Sequence, residues 1–161
     1  MAKRILVLTL IASAIAFKSF AYEATQREEK TFRMKSGGHI TIIGDEGYIR
    51  IKSWDKEEVS LRMTKRAWER SRARAEARLE EIEVEIEHDA DHLFIRQVDR
   101  DERKGFSFWD IFDPDRWREG WRDVQVDFDL TVPRRINLKI ENDEGEVEIA
   151  DVQGDLRINV D

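Results

Sequence analysis

The chain has 161 residues, 35 acids against 28 Lys and Arg, a formal net charge of -7 and no cysteine. That length suits one domain, and the acidic balance argues against general nucleic-acid binding. The missing cysteine excludes disulfides and a lipid-modified lipoprotein. With 39% charged residues and two prolines, the expected pattern is a thin core under charged outer faces, as in strands that alternate apolar inward with charge outward.

Lys3 and Arg4 precede the apolar run Ile5 to Phe17, and Ser19-Phe20-Ala21 puts small residues at the two cleavage-determining positions. This order predicts a secretory signal peptide over residues 1–21, cleaved after Ala21. The run is short against the roughly 20 residues of a bilayer span, an uncleaved anchor being the alternative. Loss of Lys3, Arg4 and Lys18 takes the formal charge from -7 to -10. No second apolar span follows, so the mature chain is expected to be exported (periplasmic, surface-bound or secreted) with no membrane span.

Residues 22–30 (YEATQREEK) are polar and without period, and are read as an exposed lead-in. Alternation begins with Phe32/Met34 and continues through Ile40/Ile42, an Asp45-Glu46-Gly47 turn, Ile49/Ile51, a Trp54-Asp55-Lys56 corner and Val59/Leu61/Met63. These predict four short strands joined by Gly- and Asp-rich turns. Trp68, Ser71, Ala75, Leu79 and Ile82 then fall on one helical stripe, which predicts a helix over residues 66–82. Ile82/Val84/Ile86, a turn at His88 to His92, and Leu93/Ile95 predict a hairpin.

Residues 99–122 break the regularity with Phe106, Phe108, Trp109, Phe112, Trp117 and Trp121, and Asp113-Pro114 has the form of a helix start. Val124/Val126/Phe128/Leu130/Val132 then alternate up to Pro133. In the tail, Gly145 and Gly154 stand nine residues apart, each followed at the same offset by an apolar pair, Val147/Ile149 and Leu156/Ile158. Leu138/Ile140 lie nine residues earlier still, and the early units Gly38-His-Ile-Thr-Ile and Gly47-Tyr-Ile-Arg-Ile repeat the pattern. Stacked β-strands follow from such a repeat, which specifies an architecture and no activity. Ile40, Ile42, Ile49, Ile51, Val147, Ile149, Leu156 and Ile158 are expected to face inward, because a one-residue slip would bury Arg50, Glu148 and Arg157 instead.

A long strand ending in Val132-Pro133, an apolar strand and then Gly-x-apolar-x-apolar units, with the early glycine units and a mid-chain helix running into a strand, resembles the bacterial "putative adhesin" domain of envelope proteins. The resemblance spans residues 31–161 and leaves the Trp-rich insertion aside. It implies an all-β domain with one helix, a β-solenoid or twisted β-roll of nine-residue repeats, with no catalytic residues. Such domains usually continue through further rungs. The uncapped last strand, Asp155 to Val160, therefore suggests a truncated member, an edge that pairs with another copy, or an edge covered by the Trp-rich segment.

Signals of chemistry are few. His88, His92, Asp89 and Asp91 could suggest a metal site, but their alternating flanks place them in a hairpin turn, and a solvated turn is the preferred reading. The acidic turns at Asp45/Glu46, Asp143/Glu144 and Asp151 lack the second glycine of a calcium-binding nonapeptide and are read as turn chemistry. No metal, cofactor or catalytic residue is assigned. Two interaction surfaces are candidates: the aromatic segment, as a contact or a lid, and a basic stripe of Arg66, Arg70, Arg74 and Arg78 on the helix, with a solvated face of intrahelical pairs as its plainer reading. The expected function is non-catalytic binding or adhesion to a protein, glycan or envelope component, the alternative being a carbohydrate-active β-helix enzyme. The enzyme predicts a groove where acids approach within roughly 5 to 10 Å; the binding module predicts a flat charged face.

Overall fold

The computed structural model of the chain describes residues 22–99 and 124–160. The signal peptide expected over residues 1–21 and the Trp-rich stretch Phe106 to Trp121 lie outside the described residues. Within them the chain is all-β with one helix: β1 Tyr22–Arg33, β2 His39–Trp54, β3 Glu58–Glu69, α1 Arg72–Glu81, β4 Ile82–His88, β5 His92–Asp99, β6 Val124–Pro133, β7 Asn137–Ala150 and β8 Leu156–Val160. The eight strands form one curled, open sheet.

Long strands β2 and β7 organise it. They pair in parallel from His39 opposite Asn137 to Lys52 opposite Ala150, yet their other neighbours differ along their length. The first half of β2 pairs with β5 and its second half with β6. The sheet therefore divides into two branches, β4-β5-β2-β7-β8 and β1-β3-β6-β2-β7, and inward residues of both contribute to one core. The bend between branches changes the inward parity. Ile40 and Ile42 are buried, then Ile49 and Ile51; a regular pleat would have kept even-numbered residues inside throughout.

Glycine permits that bend. Gly47 and Gly145 are register partners with φ of 140° and 147°, a region that side chains strain. A Cβ on Gly145 would collide with the Gly47 carbonyl oxygen, and one on Gly47 with that of Val126. Asn142, only 4% exposed, closes the corner by donating from Nδ2 to the carbonyls of Gly47 and Glu144, both at 3.4 Å. The expected turn at Asp45-Glu46-Gly47 is thus a bend inside a continuous strand, and two of the four short strands are halves of β2.

Two further expectations are corrected. The lead-in at residues 22–30 is most of β1, paired antiparallel with β3 over its whole length from Tyr22 opposite Glu69 to Arg33 opposite Glu58. It lacks apolar alternation because it is an edge strand, and charged side chains there discourage further pairing. The helix is shorter than residues 66–82. With β1 alongside, β3 runs on to Glu69, since ladder pairing outweighs helix propensities of under about 1 kcal/mol per residue. Ser71 instead caps α1, its Oγ accepting from the Arg74 N–H at 3.4 Å, and Ala75 and Leu79 form the buried face. The hairpin of β4 and β5 and the strand ending at Pro133 lie where the alternation places them.

Of the eight residues expected inward, Ile40, Ile42, Ile49 and Ile51 are buried and Val147 and Ile149 half-buried. Leu156 and Ile158 are not buried: they are 45% and 48% exposed. Their register is as expected, Leu138 opposite Leu156 and Ile140 opposite Ile158, but β8 extends one strand beyond the facing branch, so among the described residues no rung lies across from it.

Candidate functional site

The outer face of the β1-β3-β6-β2-β7 branch is built by register. In these strands the apolar residues turn inward, leaving Glu29, Arg62, Asp129, Arg50 and Glu148 outward as successive partners on five neighbouring strands. Their charges alternate along this row. Arg62 Nε donates to Glu29 Oε1 at 2.7 Å, Arg50 lies 3.5 Å from Asp129 and 3.9 Å from Glu148. The hydrogen bond and charge of Glu29 hold the Arg62 guanidinium above its ordinary pKa. Exposed pairs of this kind are screened by water and add little, so the row is weakly accounted for by stability. Beside it runs a second row, Thr31, Ser60, Thr131 and Lys52, also direct partners. Parts of the two rows line a shallow depression of about 390 Å³ with Glu29, Arg50, Lys52, Arg62 and Asp129 on its walls.

One member of this face is a structural anchor. Asp127, 6% exposed, accepts from Arg66 at 2.6 Å, from Gln125 Nε2 at 2.6 Å and from the Tyr48 N–H at 3.2 Å. Replacing Asp127 with alanine leaves the Arg66 guanidinium only its longer pair with Glu23, at 3.8 Å, and strands the Tyr48 amide proton. The expected cost is about 2–3 kcal/mol, below that of breaking a fully buried pair because Arg66 is partly solvated; urea unfolding measures it.

The basic stripe does not form. Arg66 belongs to β3 and serves Asp127, Arg70 lies in the exposed link before α1, and only Arg74 and Arg78 stand on the helix. Arg78 is half-buried and bridges to Glu81 at 2.6 Å, while Arg72 bridges to Glu76 at 2.8 Å. These intrahelical pairs match the plainer reading of that face. Phe106, Phe108, Trp109, Phe112, Trp117 and Trp121 lie outside the described residues.

At the hairpin turn, Asp89 Oδ1 accepts from the N–H groups of Asp91 and His92 at 2.7 and 2.8 Å, which holds its carboxyl below the usual range. A lowered folded-state pKa means that this contribution is present above the ordinary Asp range and is lost as pH falls through the lowered value. The His39 and His92 rings stack at 5.4 Å, and His88 packs against Phe32 at 4.8 Å. The imidazoles of His88 and His92 therefore have separate neighbours, and among the described residues no group of three or more His, Asp or Glu is placed to hold a metal. Chelators are expected to leave the melting temperature unchanged, and so is zinc; a shift of several degrees with either would reverse this reading.

No family model matches the chain, and no curated protein matches it. Among solved structures it is similar to a "putative cell adhesion protein" from Clostridium sporogenes, with a TM-score of 0.48 and 8% identity over 84% of this chain. A second is a "putative adhesin" from Bacteroides fragilis, with a TM-score of 0.33 and 11% identity over 84% of this chain. The chain spans 57% and 53% of their lengths. A likeness at this level fixes neither ligand nor activity. No helix among the described residues is long and apolar enough to cross a membrane.

The charged row escaped the sequence reading because its five members come from five separated strands. Each was visible as an outward charge. Which charges become neighbours depends on the non-local pairing of β3 with β6 and of β2 with β6, which alternation does not specify.

Proposed function

We propose that this is an exported, non-catalytic binding domain of the adhesin-like kind, a short β-solenoid whose charged outer face contacts an envelope component. The observation that carries the binding role is the alternating row of Glu29, Arg62, Asp129, Arg50 and Glu148, with Lys52 and the hydroxyls of Ser60 and Thr131 beside it. A surface of regularly spaced donors and acceptors suits a polar, extended ligand such as a glycan or a charged peptide segment. Export is supported by the order of Lys3-Arg4, the apolar run and Ser19-Phe20-Ala21. The solenoid reading is supported by the in-register parallel stacking of β2, β7 and β8 and by the glycines at the bend. Against an enzyme, the acids of the depression, Glu29, Asp129 and Glu148, are each engaged by an arginine, whereas a glycosidase directs a pair of carboxyl groups at its sugar.

The test is co-sedimentation of the purified chain with the insoluble envelope fraction of its native host, at rising salt. The Arg50→Glu, Arg62→Glu double variant is expected to lose at least tenfold in binding, while Arg72→Glu on the helix changes nothing. Equal binding by both variants sinks the proposed face, and release of reducing sugar ends by the native chain would establish the enzyme instead.

A further inference from the structure

The charged row crosses the strands, but the second half of β2 carries a line of different composition that runs along one strand. Tyr48, Arg50, Lys52 and Trp54 share the outward parity of that half, and Lys56 follows at the next position of the same parity, in the link after β2. The line holds two aromatic rings and three cations and no acid, on a chain of net charge -7. At the usual rise of a strand it extends about 20 Å from Tyr48 to Trp54. Arg50 and Lys52, between the rings, line the depression of about 390 Å³.

Each ring is steadied by a cation. The Arg50 guanidinium stands 5.2 Å from the Tyr48 ring centroid, and the Lys56 ammonium, which also reaches Glu58 at 3.3 Å, stands 4.4 Å from that of Trp54, distances at which a cation and a ring quadrupole attract. Trp54 is fixed further by its Nε1–H, which donates to the Glu58 carbonyl at 2.8 Å, the kind of partner a half-buried indole needs. A ring held in place beforehand loses less freedom when a ligand binds. Both rings keep surface towards solvent, Tyr48 being 41% exposed and Trp54 half-buried. Lys52 is exposed, its strand partners are Thr131 and Ala150, and among the described residues its ammonium has no ion pair.

We propose that this line binds an acidic polysaccharide, a chain of hexuronate units lying along β2; the proposal rests on the outer face being the binding face and names its ligand. A sugar ring presents a flat face of C–H groups that packs on Tyr48 and Trp54, while its carboxylate pairs with Lys52 and with the cations beside the rings. The flanking strands supply the other half of the recognition. Asp129 and Glu148, 3.5 and 3.9 Å from Arg50, stand on either side of the line, and their oxygens accept from the hydroxyls that every unit carries. The same acids discriminate between polyanions. Single-stranded nucleic acid or an acidic peptide would suit the cations, and bases would suit the rings, but their anions would meet Asp129 and Glu148 with few hydroxyl donors to offset the repulsion. A neutral glycan would leave Lys52 without a counter-charge.

The experiment is calorimetric titration of the purified chain with oligogalacturonate and oligomannuronate as acidic probes, and with the methyl ester of the first as a neutral one. At least one acidic probe is expected to bind, more weakly as salt rises. The ester keeps the rings and hydroxyls and should bind at least about tenfold more weakly than its parent. Lys52→Glu, at a side chain with no partner to lose, should weaken the acidic probe about tenfold or more. Tyr48→Ala should weaken it as well, and Trp54→Phe should keep most of the affinity that Trp54→Ala loses. Binding of neither acidic probe, tighter binding of polyglutamate or single-stranded DNA, or indifference to Lys52→Glu overturns the proposal. The binding face itself survives such a result if the Arg50→Glu, Arg62→Glu variant still loses the envelope fraction, and falls with it if that variant binds as the native chain does.

Discussion

Gly145→Ala is expected to remove about 3–5 kcal/mol, whereas Gly37→Ala should remove only about 1 kcal/mol, although both glycines have positive φ. At Gly37, with φ of 89°, an added methyl meets nothing within 4 Å, so only the backbone strain is felt. At Gly145 the methyl runs into the Gly47 carbonyl oxygen and lies 2.7 Å from Asn142 Nδ2. Neither can yield cheaply, because the carbonyl belongs to the stacked strand and Asn142 is buried in the corner. Against a total stability of about 5–15 kcal/mol, the loss is a large share. Urea midpoints of the two variants decide it, and equal midpoints would mean that the close stacking of the bends is not what fixes these glycines.

The repeat that contains Gly47 and Gly145 was the clearest feature of the sequence, and it illustrates what a sequence can specify. One glycine of each nine-residue pair, Gly47 and Gly145, marks a bend, because only glycine tolerates both the dihedral and the approach of the next strand. Spacing did not reveal that the chain stays in one strand through Asp45-Glu46-Gly47, since a turn and a bend ask for the same residues. β1 was illegible for a different reason. Residues such as Thr25, Arg27 and Glu29 are outward on an edge strand, and what holds them is the backbone ladder with β3, to which side-chain pattern is blind. The helix start moved from the 66–82 range to Arg72 for the same cause: Arg66 to Glu69 fit a helical stripe and a strand equally, and the unseen partner decided. The candidate site follows suit, each charge readable and the row made of them dependent on register between distant strands.

Along one inward row, substitution by alanine should give a graded series. Ile86, Ile95, Ile42, Ile140 and Ile158 are successive partners across β4, β5, β2, β7 and β8. Chemistry is constant along the row and only the surroundings change. Ile42 and Ile95 are fully buried, with neighbours on both sides in the sheet and the other branch in front, so alanine there deletes transfer free energy and leaves a cavity, about 2–5 kcal/mol in all. Ile158 is 48% exposed, so water fills the space a smaller side chain leaves. Ile158→Ala should therefore cost under about 1 kcal/mol. Denaturant unfolding of the alanine variants measures the series, and a penalty at Ile158 as large as that at Ile42 would mean that β8 is covered.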